Sequence, residues 1–150
     1  MLRRTTFRFK AMLQIIIDGV AVPKQRPRLS GRVAYTPKKT RDYEERVRMA
    51  FRSSYHDAVP VYQNGVPVRA YIEVIVPIPK SWSNRKHIAA ERGEIVPTSR
   101  NGDVDNYAKS ILDALNGLMY EDDSQVTTLY VTKKYGNDPY ALVRIEEDSK

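Results

Sequence analysis

The sequence predicts an α+β fold, a single domain in which a mixed β-sheet of about four to five strands is covered by two longer helices. Three observations predict it. Two stretches, near 37–54 and 104–115, repeat apolar residues at helical spacing. Several other stretches are rich in β-branched residues at strand length. Their order is strand, helix, strand, short helix, helix, strand, strand, which lacks the regular alternation of a doubly wound sheet. With 150 residues, no internal repeat and no linker-like segment, the chain reads as one domain over 1–150, with flexible ends at 1–10 and 146–150.

The first strand is the run Met12, Leu13, Ile15, Ile16 and Ile17, closed by Asp18-Gly19. PKQRPR follows, Pro23 to Arg28, in which two prolines forbid a helix and hold Lys24, Arg26 and Arg28 on extended backbone. A short strand is expected at Gly31 to Tyr35. Thr36-Pro37 reads as a helix start, the Thr as N-cap and the Pro at the first helical position, with Lys38 and Lys39 next. In that helix Tyr43, Val47, Ala50, Phe51 and Ser54 face inward, while Arg41, Arg48 and Arg52 face out.

Asn64-Gly65 breaks the chain before a second strand, Val68 to Val76, which Pro77 and Pro79 end. Ser81 to Arg92 reads as a short helix or partly ordered loop carrying Arg85 and Lys86, basic residues suited to nucleic acid, and Trp82, taken as a packing residue. The central helix runs from Val104 to about Leu115, with Asp103 as N-cap and Asn116-Gly117 as its stop. Val104, Ala108, Ile111, Leu112, Leu115 and Leu118 form its buried stripe. Val126 to Thr132 is a third strand, and Tyr140 to Ile145 a fourth that forms a hairpin with the third across Asn137-Asp138-Pro139.

Composition excludes several chemistries. There is no cysteine, so neither a disulfide framework nor a thiolate metal site is available. His56 and His87 are too isolated to suggest a zinc site or a triad. MLRRTTFRFK lacks the apolar core of a secretory signal, and no apolar run approaches membrane-spanning length. The expectation is a cytoplasmic protein with no membrane partner.

The net charge is +7, unevenly spread: Met1 to His56 holds fourteen Lys or Arg against four acids, whereas Gly102 to Val126 holds one Lys against six acids. A basic body around an acidic pocket suits a polyanion that is both held and cut. Asp103 and Asp105 open the central helix, and Asp122 and Asp123 follow it. Two unit charges about 4 Å apart repel by roughly 4 kcal/mol at an effective dielectric near 20, so gathering these carboxylates needs a compensating cation. Hard divalent ions such as Mg²⁺ or Mn²⁺ prefer such oxygen ligands and activate water against a phosphodiester without an organic cofactor. Lys109 would add a point charge beside that site.

Spacing alone leaves a second reading open. Asp103 can be an ordinary cap, Asp105 can complement the helix dipole, Asp105, Lys109 and Asp113 make ordinary pairs four apart, and Asp122-Asp123 can be a turn. On that reading the protein is a non-catalytic basic DNA- or RNA-binding protein.

DVDNYAKSILDALNG followed by DDSQV, however, resembles the signature of the RusA family of Holliday junction resolvases: D-x-D-N-x-x-K, an apolar helix with LDAL, then D-D-x-Q-V. PKQRPR, YTPKKTRDYE and PIPKSWSNRK resemble the phage and prophage branch of that family. The resemblance implies a small homodimeric, magnesium-dependent endonuclease that nicks two strands of a four-way DNA junction symmetrically. It also implies Asp103, Asp105 and Asp123 as catalytic acids and metal ligands, Asp122 as an assisting acid and Lys109 as the essential basic residue. Lys24, Arg26, Arg28, Lys38, Lys39, Arg85 and Lys86 are the candidate DNA contacts. Gly102 stands where many members have proline, which is expected to loosen the entry to the site.

Geometry sets a further expectation. At about 1.5 Å per residue the central helix separates Asp103 from its far end by roughly 17 Å. Asp123 follows that far end, so either Gly117 to Asp122 doubles back along its own helix or a second subunit supplies the missing acid; Gly117 and the apolar Leu118-Met119-Tyr120 favour the first. Asp113 is expected to serve stability or pairing and not chemistry.

Overall fold

The computed structural model describes residues 12–55, 59–98 and 102–149. MLRRTTFRFK and His56 lie outside the described residues. The elements are β1 (Leu13–Asp18), β2 (Arg28–Ser30), β3 (Val33–Tyr35), α1 (Lys38–Ser54), β4 (Val68–Pro77), α2 (Asn84–Glu91), α3 (Val104–Ala114), a 3₁₀ turn (Asp123–Gln125), β5 (Val126–Gly136) and β6 (Tyr140–Glu147). The α+β expectation holds: a mixed four-stranded sheet, ordered β1-β6-β4-β5, lies beside a separate two-stranded β2-β3 ribbon. No helix among the described residues is long and apolar enough to cross a membrane.

Alternation builds the sheet's inner face. Ile15 and Ile17 of β1 point inward while Gln14, Ile16 and Asp18 point out. Opposite them on β6 stand Val143 and Ala141, and on β4 the inward set is Val68, Ala70, Ile72 and Val74. Onto this face α1 lays Tyr43, Val47 and Phe51, and α3 lays Ala108, Ile111 and Leu112, with Leu115 just past its end. Each wholly buried Ile, Leu or Phe contributes about 1.5–3 kcal/mol of transfer free energy, so this layer contact anchors α3, and with it the acidic stretch.

The expected hairpin between the last two strands is not formed. β6 pairs antiparallel with β1 and β4, whereas β5 pairs with β4 alone, in parallel. β4 therefore lies between the two strands that are adjacent in sequence. The parallel pairing follows from the crossover through α2 and α3, which returns the chain to the end of the sheet where β4 began. The three residues Asn137 to Pro139 then step over β4, a span of two strand spacings, or about 9.6 Å. Gly136 makes that step feasible, because a Cβ there would fall 2.5 Å from Ile75 Cγ2 of β4.

Other boundaries shift for local reasons. Pro37, not Thr36, occupies the N-cap position of α1, and no side chain caps that helix. The short strand expected at Gly31 to Tyr35 is a ribbon instead, with Gly31 at φ +64 turning Ser30 back onto Val33. The end of the chain is not frayed over 146–149. Glu146 and Glu147 belong to β6, and Asp148 accepts hydrogen bonds from Arg69 Nη2 (2.6 Å), Thr127 Oγ1 (2.7 Å) and Thr128 Oγ1 (2.7 Å). Backbone pairing of β6 delivers Asp148 to those donors. Trp82 packs edge-on to Tyr135 of β5, as expected of a packing residue.

Candidate active site

The site is organised by α3. Its first residue is positioned by the loop before it: Gly102 N–H donates to Tyr107 Oη at 3.2 Å, and Gly102 O accepts from Lys133 Nζ at 3.1 Å. A Cβ at Gly102 would lie 2.6 Å from Pro23, so the glycine admits close packing. Tertiary contacts thus engage Gly102 where a proline ring would otherwise restrain the entry. Two further bonds fix the helix to the segment after β1: Lys24 N–H donates to Asn106 O (2.8 Å) and Ser110 Oγ to Val22 O (2.8 Å).

Asp103 occupies the N-cap position, yet its side chain makes no capping hydrogen bond. The ordinary structural explanation for this residue therefore fails, and its exposed carboxylate is available to a ligand. Asp105 is likewise exposed in the first turn. Beside this end of the helix, Val20, Pro23, Lys39, Val76, Gly102 and Tyr107 line a cavity of about 300 Å³.

After α3 the chain turns back on itself. Gly117 adopts φ +78, its N–H donates to Tyr120 O at 2.7 Å, and the Tyr120 hydroxyl donates to Leu112 O at 2.6 Å. Met119 and Tyr120 are fully buried, so apolar packing drives the reversal. Gln125 then fastens the DDSQV segment. Its Oε1 accepts from the N–H groups of Glu121 (2.9 Å) and Asp122 (3.2 Å), while its Nε2 donates to Gln63 O (2.8 Å) and Val66 O (3.0 Å).

The two adjacent acids are treated differently. Asp122 Oδ2 accepts from Ser124 N–H at 3.0 Å, and Ser124 holds the carboxyl below the usual carboxylate range. Asp122 is thus a cap of the 3₁₀ turn. Asp123 donates its N–H to Asn116 Oδ1 at 2.8 Å and points its carboxyl at α3. A hydrogen bond shared with Asp113, partial burial, and the charges of Asp113 and Asp122 push that carboxyl up to about 6; Lys109 opposes them.

Asp105, Lys109, Asp113 and Asn116 recur at near-helical spacing along one face. Asp123 meets the later part of that face. Among the described residues no three acidic or histidine side chains come close enough together to hold a metal ion. The donors nonetheless fit a hard divalent cation: all are carboxylates, the Asp103 side chain makes no capping bond, and Asp113 and Asp123 approach each other closely enough to raise the Asp123 carboxyl despite Lys109.

The candidate DNA contacts divide. Arg26, Arg28, Lys39 and Arg85 are exposed. Lys38 pairs with Asp42 at 2.7 Å in solvent, and Lys86 Nζ lies 4.0 Å from the centre of the Trp82 ring. Lys24 is ion-paired with Glu44 (2.5 Å) and Asp113 (3.3 Å). Asp113, expected from the sequence to serve stability or pairing, stands with Asn116 and Gln125 around Asp123 and its segment, and the latter two are not singled out by the sequence. The spacing of Asp113 and Asn116 from Lys109 was the available signal; Gln125 had none beyond its place in the motif.

A family model, Endodeoxyribonuclease RusA, matches residues 18–146, which include every element from the end of β1 into β6. The chain belongs to the RusA family. It is an endodeoxyribonuclease, of a family of Holliday junction resolvases that act in DNA recombination on branched DNA and generally depend on a divalent metal. A Bacillus subtilis (strain 168) protein named uncharacterized protein YqaN is 38% identical over 143 residues, covering 91% of this chain and 97% of its own length. The RusA match spans both DVDN and DDSQV, so the acidic segments before and after α3 belong to one family pattern, although Asp123 meets Asp113 and Lys109 and not Asp103 or Asp105.

Proposed function

We propose that this RusA protein resolves four-way DNA junctions by paired symmetric nicks, as a homodimer, with Mg²⁺ as its cation and Mn²⁺ as a substitute. Asp103, Asp105 and Asp123 would hold the cation, and Lys109 would supply positive charge for the phosphate. What a divalent ion supplies when bound is Lewis acidity and charge neutralisation at that phosphate. The chain's own residues do the rest. Asp103 and Asp105 offer exposed carboxylates at the start of α3. Asn116 and Asp113 aim Asp123 along the helix. Asp122 assists by capping the turn that carries Asp123. Arg28 on the exposed ribbon and Arg26 just before it are suited to phosphates, with Lys38, Lys39, Arg85 and Lys86 extending the basic surface.

The observation that carries this reading is the return of Asp123 to the Lys109 face of its own helix within a continuous RusA match. The test is a nicking assay on a four-way junction and on linear duplex, with and without Mg²⁺, and with Asp123→Asn as control. The expected result is Mg²⁺-dependent nicking of the junction at symmetric positions, absent in the variant. Tight junction binding without nicking at any metal concentration would instead favour the non-catalytic binding protein.

A further inference from the structure

Lys24 opens the basic PKQRPR segment, but it differs from its neighbours in what it meets. Its Nζ lies 2.5 Å from Glu44 Oε1 on α1 and 3.3 Å from Asp113 Oδ2 on α3, and its side chain is only 17% exposed. Its own N–H is bonded to Asn106 O of α3. Arg26 and Arg28, by contrast, are exposed. A phosphate could reach Lys24 only by displacing two carboxylates from a half-buried ammonium, so the contact it makes is already made.

The arrangement joins three separate pieces of chain. Glu44 comes from the middle of α1, Lys24 from the loop after β1, and Asp113 from the last turn of α3. Without a cationic partner, Asp113 could rotate among its staggered conformers. With Lys24 on one side, one conformer is selected, and the face it shares with Asn116 is the face that receives Asp123.

We infer that Lys24, held by Glu44, is a positioning residue of the nuclease site: it fixes Asp113, and through Asp113 it fixes Asp123 against Lys109. This rests on the proposed reading of Asp123 as a catalytic acid. It gives PKQRPR two jobs, with Lys24 turned inward to order the site and Arg26 and Arg28 turned outward to hold phosphate.

The test uses single-turnover nicking of a junction, junction affinity over a range of salt, and thermal melting. It compares wild type with Lys24→Met, Lys24→Arg, Glu44→Gln, Asp113→Asn and the Lys24→Met/Asp113→Asn double variant. Displacing a reacting group by about 1 Å can cost about a hundredfold in rate, so Lys24→Met should slow nicking by roughly tenfold to a hundredfold. Its junction affinity and salt slope should stay at wild-type values. Lys24→Arg should recover part of the rate. The losses from Lys24→Met and Asp113→Asn should be non-additive, because both act through one path. Should Lys24→Met fold poorly, Glu44→Gln carries the same expectation in milder form.

Two results would overturn the inference. One is an unchanged nicking rate in a folded Lys24→Met or Glu44→Gln. The other is weaker binding with a salt slope reduced by about 0.9, the mark of a lost phosphate contact. Failure of wild type itself to nick would remove the nuclease reading and this inference with it, and is distinguishable from an active enzyme indifferent to Lys24.

Discussion

Asp123 and Asp148 lie on either side of the start of β5, one immediately before that strand and the other bonded to its Thr127 and Thr128, yet their surroundings are opposite. Asp148 is met by donors alone: two threonine hydroxyls and Arg69, which hold its carboxyl below the usual range. Asp123 is met chiefly by acids, with Asp113 in hydrogen-bonding reach and Asp122 adjacent, and its carboxyl is pushed up to about 6. An aspartate that ties a strand end gathers donors. An aspartate left among other carboxylates costs stability, and the arrangement makes sense where a cation or phosphate chemistry uses the charge.

The strongest way to break this contrast is to neutralise each acid. Asp103→Asn, Asp105→Asn and Asp123→Asn should each abolish nicking while junction affinity stays intact or rises, since losing a negative charge eases phosphate approach. Asp123→Asn should melt no lower than wild type, because it removes repulsion with Asp113. Full nicking by any of the three would remove that residue from the site. Ca²⁺ should support binding without cleavage.

Mixing subunits sharpens the comparison. The chain reverses at Gly117 and brings Asp123 onto its own α3, so on the proposed reading each site is expected to take Asp123 and Lys109 from one chain. In exchanged dimers of Asp103→Asn and Asp123→Asn, each within-chain site carries a lesion, and nicking should stay absent. Restored nicking in the mixed dimer would mean that sites are shared across subunits.

Gln125 separates the support of Asp123 from its chemistry. Gln125→Ala removes the side-chain partner of two backbone N–H groups and three carbonyls. A buried polar group left unsatisfied costs about 1–3 kcal/mol, so melting should fall by several degrees and nicking should weaken without vanishing. A variant as stable and active as wild type would show that water replaces the amide.

Holding DNA should respond more gently. Arg26→Ala and Arg28→Ala should each lower the salt slope of log affinity by about 0.9 with little change in single-turnover rate. Wild-type affinity and slope in both would reduce the exposed ribbon to a loop without contacts.

Much of this was legible in the sequence, and the exceptions share a cause. The stripe Val104, Ala108, Ile111, Leu112, Leu115 and Leu118 announced α3, though Val104 is exposed at its first turn and Leu118 only partly buried, and β-branched runs announced β1 and β4. The turn at Gly117 was readable from its residue type. What escaped depended on chain segments far apart in sequence. Asn137 to Pro139 is as compatible with stepping over a strand as with closing a hairpin, and only the crossover through α2 and α3 decides. Asp113 looked like one half of a helical pair until Lys24 arrived from a loop 89 positions earlier. Gly102 looked loose because its restraints, Pro23, Tyr107 and Lys133, are supplied by the fold.

The gentlest test concerns Asp148, the other member of the opening pair. Its hydrogen bonds from Thr127, Thr128 and Arg69 favour the ionised form, so its pKa in the folded chain is below the ordinary 3.8. A carboxyl depressed by folding adds stability above its unfolded pKa, and that contribution fades as pH falls through the folded value. Asp148→Asn should therefore lower the melting temperature slightly at neutral pH, where the charged form is bound by its three donors. The gap between variant and wild type should hold from neutrality down to about pH 5 and close in more acidic solution, as the wild-type carboxyl protonates. Nicking at neutral pH should be unaffected, since Asp148 touches none of the acids on α3. A melting difference that persists unchanged well below pH 3 would mean that Asp148 acts through shape and not charge, and the contrast with Asp123 would then lose its electrostatic basis.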